Sequence, residues 1–289
     1  MSPSVAAGAE SRWPAPAKLN LFLHVTARRA DGYHELQTLF QLIDLADTIA
    51  IRVREDGAIE RPEGPRGVAP EADLAVRAAH ALKTATGVAL GADLKVHKRI
   101  PLGGGLGGGS SDAATTLVAL NELWGCGLAQ PELAVLGRSL GADVPVFIEG
   151  FSAWGEGIGE RLTKVELPER WYLVIHPGVA VSTASVFQSP ELTRNSPLIT
   201  IRDFFESGGR NDCEGVVRSL CPEVGEALDW LGRLAPARLT GTGSCVFAAF
   251  ASAPEAERLA ARVPDRWTSV VARGLNVSPL RERLRQGRG

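Results

Sequence analysis

Six of the seven positions from Gly103 to Gly109 are glycine, inside the stretch PLGGGLGGGSSDAA that runs from Pro101 to Ala114. Glycine admits positive φ and lets a ligand come close to the main chain, and a glycine run that opens a helix can aim several N–H groups at one anion. The expected guest is a phosphate group. It would be wrapped by Gly103, Gly104, Gly105, Leu106, Gly107, Gly108 and Gly109, with Pro101 leading in and the hydroxyls of Ser110 and Ser111 at hand. Lys95 and Lys98 lie just upstream and would add positive charge, although a solvated strand face explains them equally well. A flexible linker is the duller alternative, but linkers rarely separate a strongly patterned strand from a helix.

Three common phosphate motifs fit poorly. The P-loop needs G-x-x-x-x-G-K-[ST], and Gly109 stands where its lysine should be. The dinucleotide pattern G-x-G-x-x-G is met by Gly103, Gly105 and Gly108, yet any such glycine run meets it, and Glu122 falls in a helix rather than at a strand end. A protein-kinase loop would have valine at Ser110, and the chain contains neither H-R-D nor D-F-G.

The elements around the loop follow from periodicity. From Ala17 the chain alternates, with Ala17, Leu19, Leu21, Leu23 and Val25 on one side of a strand and Lys18, Asn20, Phe22 and His24 on the other. A turn at Asp31-Gly32 leads to a second extended region, TLFQLIDLADTIAIRV, and Glu55 to Pro70 reads as a loop. Asp73 caps a helix that Gly87 ends. A strand from Ala92 to Ile100 then precedes the glycine run, and Ala113, Leu117, Leu120 and Trp124 recur at helical spacing after it. The opening stretch is thus a strand-loop-helix connection. WYLVIHP, RLTGTGSCVFAAF, APEAERLAARV and WTSVVARG compose a second α/β unit.

A chain of 289 residues suggests two domains, which we divide as 1–155 and 156–289. The 31 Lys+Arg and 33 Asp+Glu leave a formal charge of -2, which favours a small-molecule partner over nucleic acid or an acidic membrane. Cys126, Cys213, Cys221 and Cys245 are scattered, with no metal-ligand spacing, so no protein metal site is expected and a reducing cytoplasm is the simplest home. No apolar run approaches a membrane span, and the first dozen residues read as a loose tail. A monomer or weak homodimer is expected.

The loop also resembles the P-x-x-x-G-L-G-S/G-S-S-A/D/N-A phosphate loop of the GHMP small-molecule kinases. APAKLNLFL, from Ala15 to Leu23, is similar to that family's first motif, and LTGTGSCVF, from Leu239 to Phe247, to its third. The resemblance implies a two-domain α+β fold: an amino-terminal nucleotide-binding domain carrying the glycine loop, a smaller carboxy-terminal α/β domain, and an active site in the cleft between them. It also implies ATP as phosphoryl donor, with Mg²⁺.

Within that family RRADGYHELQTLF, from Arg28 to Phe40, resembles the members that phosphorylate a 2-hydroxyl on a methylerythritol linked to cytidine diphosphate, in non-mevalonate isoprenoid synthesis. GADVPVF, ELTRNSP and GLNVSPL support it. By that resemblance Asp143 accepts the hydroxyl proton, Lys18 is its catalytic partner and Asn20 binds substrate. Tyr33 and Phe187 stack on the cytosine, His34 meets its edge, and Thr183 is a lesser contact. Without it, Asp143 reads as a capping or turn aspartate, Lys18 as an edge lysine, and Tyr33, His34 and Phe187 as packing residues.

The Gly241-Thr-Gly243 turn is expected to pack on the glycine loop. Two positions depart from the family: Asp112 and Asp73 stand where asparagine is frequent, and a carboxylate at 112 repels phosphate unless it faces helix amides or a metal. A homoserine- or mevalonate-type kinase and a non-catalytic nucleotide-binding regulator are the alternative readings.

Overall fold

The alternation that begins at Ala17 belongs to a longer strand in the computed structural model, which describes residues 9–287. Strand β1 (Glu10–Arg28) pairs antiparallel with β2 (His34–Arg54) across the Asp31-Gly32 turn. Part of the expected tail, 1–8, lies outside the described residues; the rest is strand from Glu10, which pairs with Arg52. Pro14 and Pro16 are tolerated within β1 because among the described residues β2 is its only strand partner, so a missing N–H breaks no second ladder.

The remaining strands are β3 (Ile59–Glu63), β4 (Gly91–His97), β5 (Ala153–Gly157), β6 (Arg161–Lys164), β7 (Trp171–His176), β8 (Arg238–Leu239), β9 (Val246–Phe250) and β10 (Thr268–Leu275). The helices are α1 (Leu74–Thr86), α2 (Gly108–Leu123), α3 (Gln130–Leu140), α4 (Val144–Glu149), α5 (Thr183–Gln188), α6 (Ile201–Ser207), α7 (Glu214–Leu220), α8 (Pro222–Gly232), α9 (Ala253–Ala260) and α10 (Pro279–Gly287). One sheet runs β3-β4-β2-β10-β7-β9-β8, and β2 also pairs with β1 and β5. The segment 55–70 is not all loop, since β3 forms within it and pairs parallel with β4, covering an edge that would otherwise be bare.

Two cores flank a junction. In the first, Ile49 and Ile51 of β2 and Leu94 of β4 pack against Leu82 of α1 and Leu117 and Leu120 of α2. In the second, Leu173, Ile175 and Val246 pack against Val217, Leu228 and Leu231 of the later helices. Ala17, Leu19 and Ile43 meet Tyr172, Val174 and Phe247 between them. A division at residue 155 cuts β5, which is hydrogen-bonded to β2 and β6. Both short strands therefore extend the first half, and the second α/β unit begins at β7.

Helix α2 is buried nearly all round, through Ala113, Ala114, Leu117, Ala119 and Leu120, so the glycine loop ends on a rigid support. Helix α1 is capped as expected. Asp73 Oδ1 accepts from Ala75 N at 2.9 Å, and Gly87 closes the helix at φ 67°. Asp73 Oδ2 also holds Arg61 Nη1 at 2.6 Å, with both side chains buried. Replacing Asp73 with alanine removes a cap and strands a buried guanidinium, at a cost of about 3 kcal/mol or more. Asp73→Asn keeps the cap and should cost less. Equilibrium urea unfolding of the two variants checks this, and equal small losses would show that the ion pair does not matter.

Candidate active site

Lys18 is buried, its side chain only 3% exposed, and each proton of its ammonium has a partner. Nζ lies 2.6 Å from Asn20 Oδ1, 2.9 Å from Gly105 O and 3.2 Å from Asp143 Oδ2. The ring of Phe40 lies beneath at 5.9 Å. Strand alternation places Lys18 and Asn20 on one face, while Gly105 and Asp143 arrive from the loop and from the start of α4. Asp143 is the N-cap residue of α4, yet its side chain makes no capping bond. Its carboxylate, 33% exposed, turns to Lys18 and the cleft instead.

The glycine loop is fastened on both sides. Lys18 N donates to Leu106 O at 3.0 Å, Ser244 N to Gly103 O at 3.2 Å and Cys245 N to Gly104 O at 3.0 Å. The Gly241-Thr-Gly243 turn therefore does pack on the loop. Gly105 has φ +73°, and a Cβ there would sit 2.3 Å from Thr240 O. Gly107, the N-cap of α2, has φ +72°, and a Cβ would strike Phe147 at 2.8 Å. Neither position accepts another residue without displacement. Helix α2 then begins with its free amides at the cleft, the arrangement that receives an anion.

The cleft holds about 420 Å³ and is lined by every residue from Pro101 to Ser110, with Lys18, Asn20, Asp143, Thr183, Phe187 and Thr242. Ser111 is not in the lining: its hydroxyl is buried behind the loop and has no hydrogen-bond partner. Lys95 is a clear departure. It points to the sheet surface and pairs with Glu10 Oε2 at 2.7 Å, so it cannot serve the loop. Lys98 takes that place, because β4 ends at His97 and the alternation no longer governs the next residue.

Lys98 Nζ sits between two buried carboxylates, 2.5 Å from Asp47 Oδ2 and 2.6 Å from Asp112 Oδ2. Asp47 also accepts from Ile100 N at 2.8 Å, which fixes the start of the loop. Asp112 is thus turned away from the cleft and neutralised. Its own carboxyl is pushed up to about 7, first by burial, with Asp47 adding to the rise and Lys98 opposing it.

At the other end of the cleft, Phe187 of α5 lines the wall and its ring lies 5.1 Å from that of His34, tilted by 30°. Thr183 Oγ1 and Thr242 Oγ1 are 2.9 Å apart, joining α5 to the second glycine turn. Tyr33 is not brought to the cleft wall. Its side chain stands 61% exposed on the hairpin turn, which also excludes a packing role. His34 is buried, and its pKa is lowered first by burial and then by Arg194 and Arg28. Arg194 was missed as a site residue, although it lies in ELTRNSP; nothing in residue type or spacing ties it to His34, 160 positions away.

The two halves match two models of one family, the GHMP kinases N terminal domain over residues 73–151 and the GHMP kinases C terminal over residues 191–269. Fold and site together define an ATP-dependent small-molecule kinase of the GHMP class. A 4-diphosphocytidyl-2-C-methyl-D-erythritol kinase from Halorhodospira halophila is 58% identical over 273 residues, 93% of this chain and 95% of that one. The kinase of the same name from Vibrio cholerae is 53% identical over 272 residues, 94% of each chain. A crystal structure of 4-(cytidine 5'-diphospho)-2C-methyl-D-erythritol kinase aligns with TM-score 0.80 at 35% identity, over 91% of this chain and 99% of that one. The chain belongs to this 4-diphosphocytidyl-2-C-methyl-D-erythritol kinase family. A homoserine kinase from Cytophaga hutchinsonii, with TM-score 0.70 at 17% identity, shares the fold alone.

Asp112 makes stability depend on pH. Between about 4 and 7 the folded protein keeps a proton that the unfolded chain gives up, so this group's contribution falls as pH rises through that window. Asp112→Asn removes the titration. Relative to the unchanged protein, the variant should be more stable at pH 8 than at pH 5, read from urea midpoints, and a difference independent of pH would contradict the assignment.

Proposed function

We propose that the chain transfers the γ-phosphoryl group of ATP to the 2-hydroxyl of 4-diphosphocytidyl-2-C-methyl-D-erythritol, giving the 2-phosphate and ADP, in non-mevalonate isoprenoid precursor synthesis. The observation that carries this reading is the pairing of buried Lys18 with the cleft-facing Asp143, held against the glycine loop by a lysine with no proton to spare. Family membership supports the substrate, since relatives at 53–58% identity bear that name.

Phosphoryl transfer passes through a loose transition state, so catalysis rests on positioning and on charge neutralisation. The amides from Gly103 to Ser110 and the first turn of α2 hold the phosphates. Lys98 adds positive charge at the loop's edge, beside Gly108. Asp143 orients the acceptor hydroxyl and takes its proton late, which asks little of its basicity. Lys18 pairs with that carboxylate and faces the acceptor oxygen, and Asn20, itself held by Thr38, orders Lys18 from the cleft wall. Phe187 supplies one stacking face for the cytosine, His34 a polar contact to its edge, and Thr183 a hydroxyl; Tyr33, exposed beside His34, is free to cover the other face.

Magnesium suits this donor set. Ser110 lines the cleft at the first turn of α2, whereas the Ser111 hydroxyl is buried away from it. An ion bound chiefly by phosphate oxygens and water needs few protein ligands. When bound it neutralises phosphate charge. We place the enzyme in the cytoplasm, in keeping with four free thiols.

Purified protein given ATP, Mg²⁺ and the diphosphocytidyl substrate should release ADP, followed in a coupled assay; absence of turnover at millimolar substrate would overturn the reading. Asp143→Asn and Lys18→Met should each lower kcat by about a hundredfold or more while the protein stays folded by near-UV circular dichroism. Near-normal turnover in either variant would remove that residue from the mechanism.

A further inference from the structure

Arg194 lies between α5 and α6, and its guanidinium makes four hydrogen bonds. Nη2 donates to the carbonyls of Phe187 at 3.0 Å and Ser189 at 2.7 Å, and Nη1 to that of Leu192 at 3.1 Å. These acceptors sit at and just beyond the end of α5, where helix carbonyls lack amide partners. The fourth bond runs from Nε to His34 Nε2, at 3.0 Å, on β2. One cation therefore joins Phe187 to His34, two of the three aromatic residues assigned to the base.

That fourth bond carries chemical information. An arginine Nε–H can only donate, and it does not lose its proton in a protein. His34 Nε2 must accept, so the single proton of the neutral imidazole sits on Nδ1. Burial and the charges of Arg194 and Arg28 keep the ring neutral by lowering its pKa. No hydrogen bond reaches Nδ1 among the described residues, and although His34 does not itself line the cleft, its ring lies 5.1 Å from that of Phe187, which does.

Cytosine and uracil differ where such a donor tells them apart. Cytosine N3 is an acceptor, whereas uracil N3 carries a hydrogen. A fixed Nδ1–H matches the first and opposes the second, and a buried polar group left facing another donor is a strong basis for rejection. With the proton on Nε2 instead, Nδ1 would be an acceptor and the preference would reverse. We propose that Arg194 is a positioning residue that sets pyrimidine specificity, by holding His34 as an Nδ1–H donor to the base while anchoring Phe187 beside it. This rests on the assignment of His34 to the base edge in the proposed function. A role confined to capping α5 predicts weaker binding of every substrate with no change in base preference.

The test compares kcat/KM for the diphosphocytidyl substrate with that for its diphosphouridyl counterpart, in the unchanged protein and in Arg194→Met, with the KM for ATP as a control. The unchanged protein should prefer cytidine by roughly ten- to a hundredfold. Arg194→Met should lose most of that ratio while its KM for ATP stays within about twofold. Retention of the full preference in Arg194→Met overturns the inference and leaves the kinase reading standing. Failure of the unchanged protein to use the cytidine substrate at all sinks both.

Should Arg194→Met fail to fold, the tautomer can be read directly in the unchanged protein. Long-range ¹H–¹⁵N correlation spectra of its five histidines, with His34 identified by its loss in His34→Gln, should show the proton on Nδ1. A proton on Nε2, or rapid averaging between the two nitrogens, overturns the proposal.

Discussion

A lysine ammonium taken out of water must find a partner for every proton, and Lys18 meets that demand with groups from three separate parts of the chain. Asn20 comes from the same strand face, Gly105 from the phosphate loop and Asp143 from the start of α4. Satisfying one buried charge therefore fixes the strand, the loop and the helix relative to one another. The same geometry keeps Asp143 from spending its carboxylate on a helix cap. Its carboxylate instead faces Lys18 at the cleft wall.

The opposite electrostatic demand is met next door. The glycine loop lies close to Asp47, Asp112 and Asp73, three buried carboxylates that would repel an anion. Lys98 bridges the first two, and Arg61 and the α1 amide hold the third. Each negative charge is paired behind the loop rather than within it, while Lys98 still lines the cleft beside the α2 amides. Backbone hydrogen bonds from Ser244 and Cys245 close the other side, so the loop is held by both halves of the chain at once.

At the substrate end the device is different. Phe187 and His34 come from α5 and β2, elements far apart in sequence that no short-range bond joins. Arg194 spans the gap because its planar fork serves several acceptors at once, something a lysine point charge cannot do. Thr183 and Thr242 make a second tie between α5 and the glycine turn.

The local features were legible where a short-range rule governs them. The cap at Asp73, the stop at Gly87, the strand-loop-helix around the glycines and the shared face of Lys18 and Asn20 all follow from dihedral preferences and alternation within a few residues. The start of β1 at Glu10 read as tail, because only the sheet pairs it with Arg52 of β2. Lys95 and Lys98 were both candidates for the loop, and only the fold sends the first to the sheet surface and the second to the cleft. The sequence by itself determined which groups were available: an anion-binding loop, a lysine, an aspartate and a set of aromatic and polar residues for a base. Only the tertiary structure decided which of them meet, since the pairs Lys18–Asp143, Lys98–Asp47 and His34–Arg194 join residues 50 to 160 positions apart. Contacts at that separation depend on how the sheet and helices pack, and no local pattern encodes them.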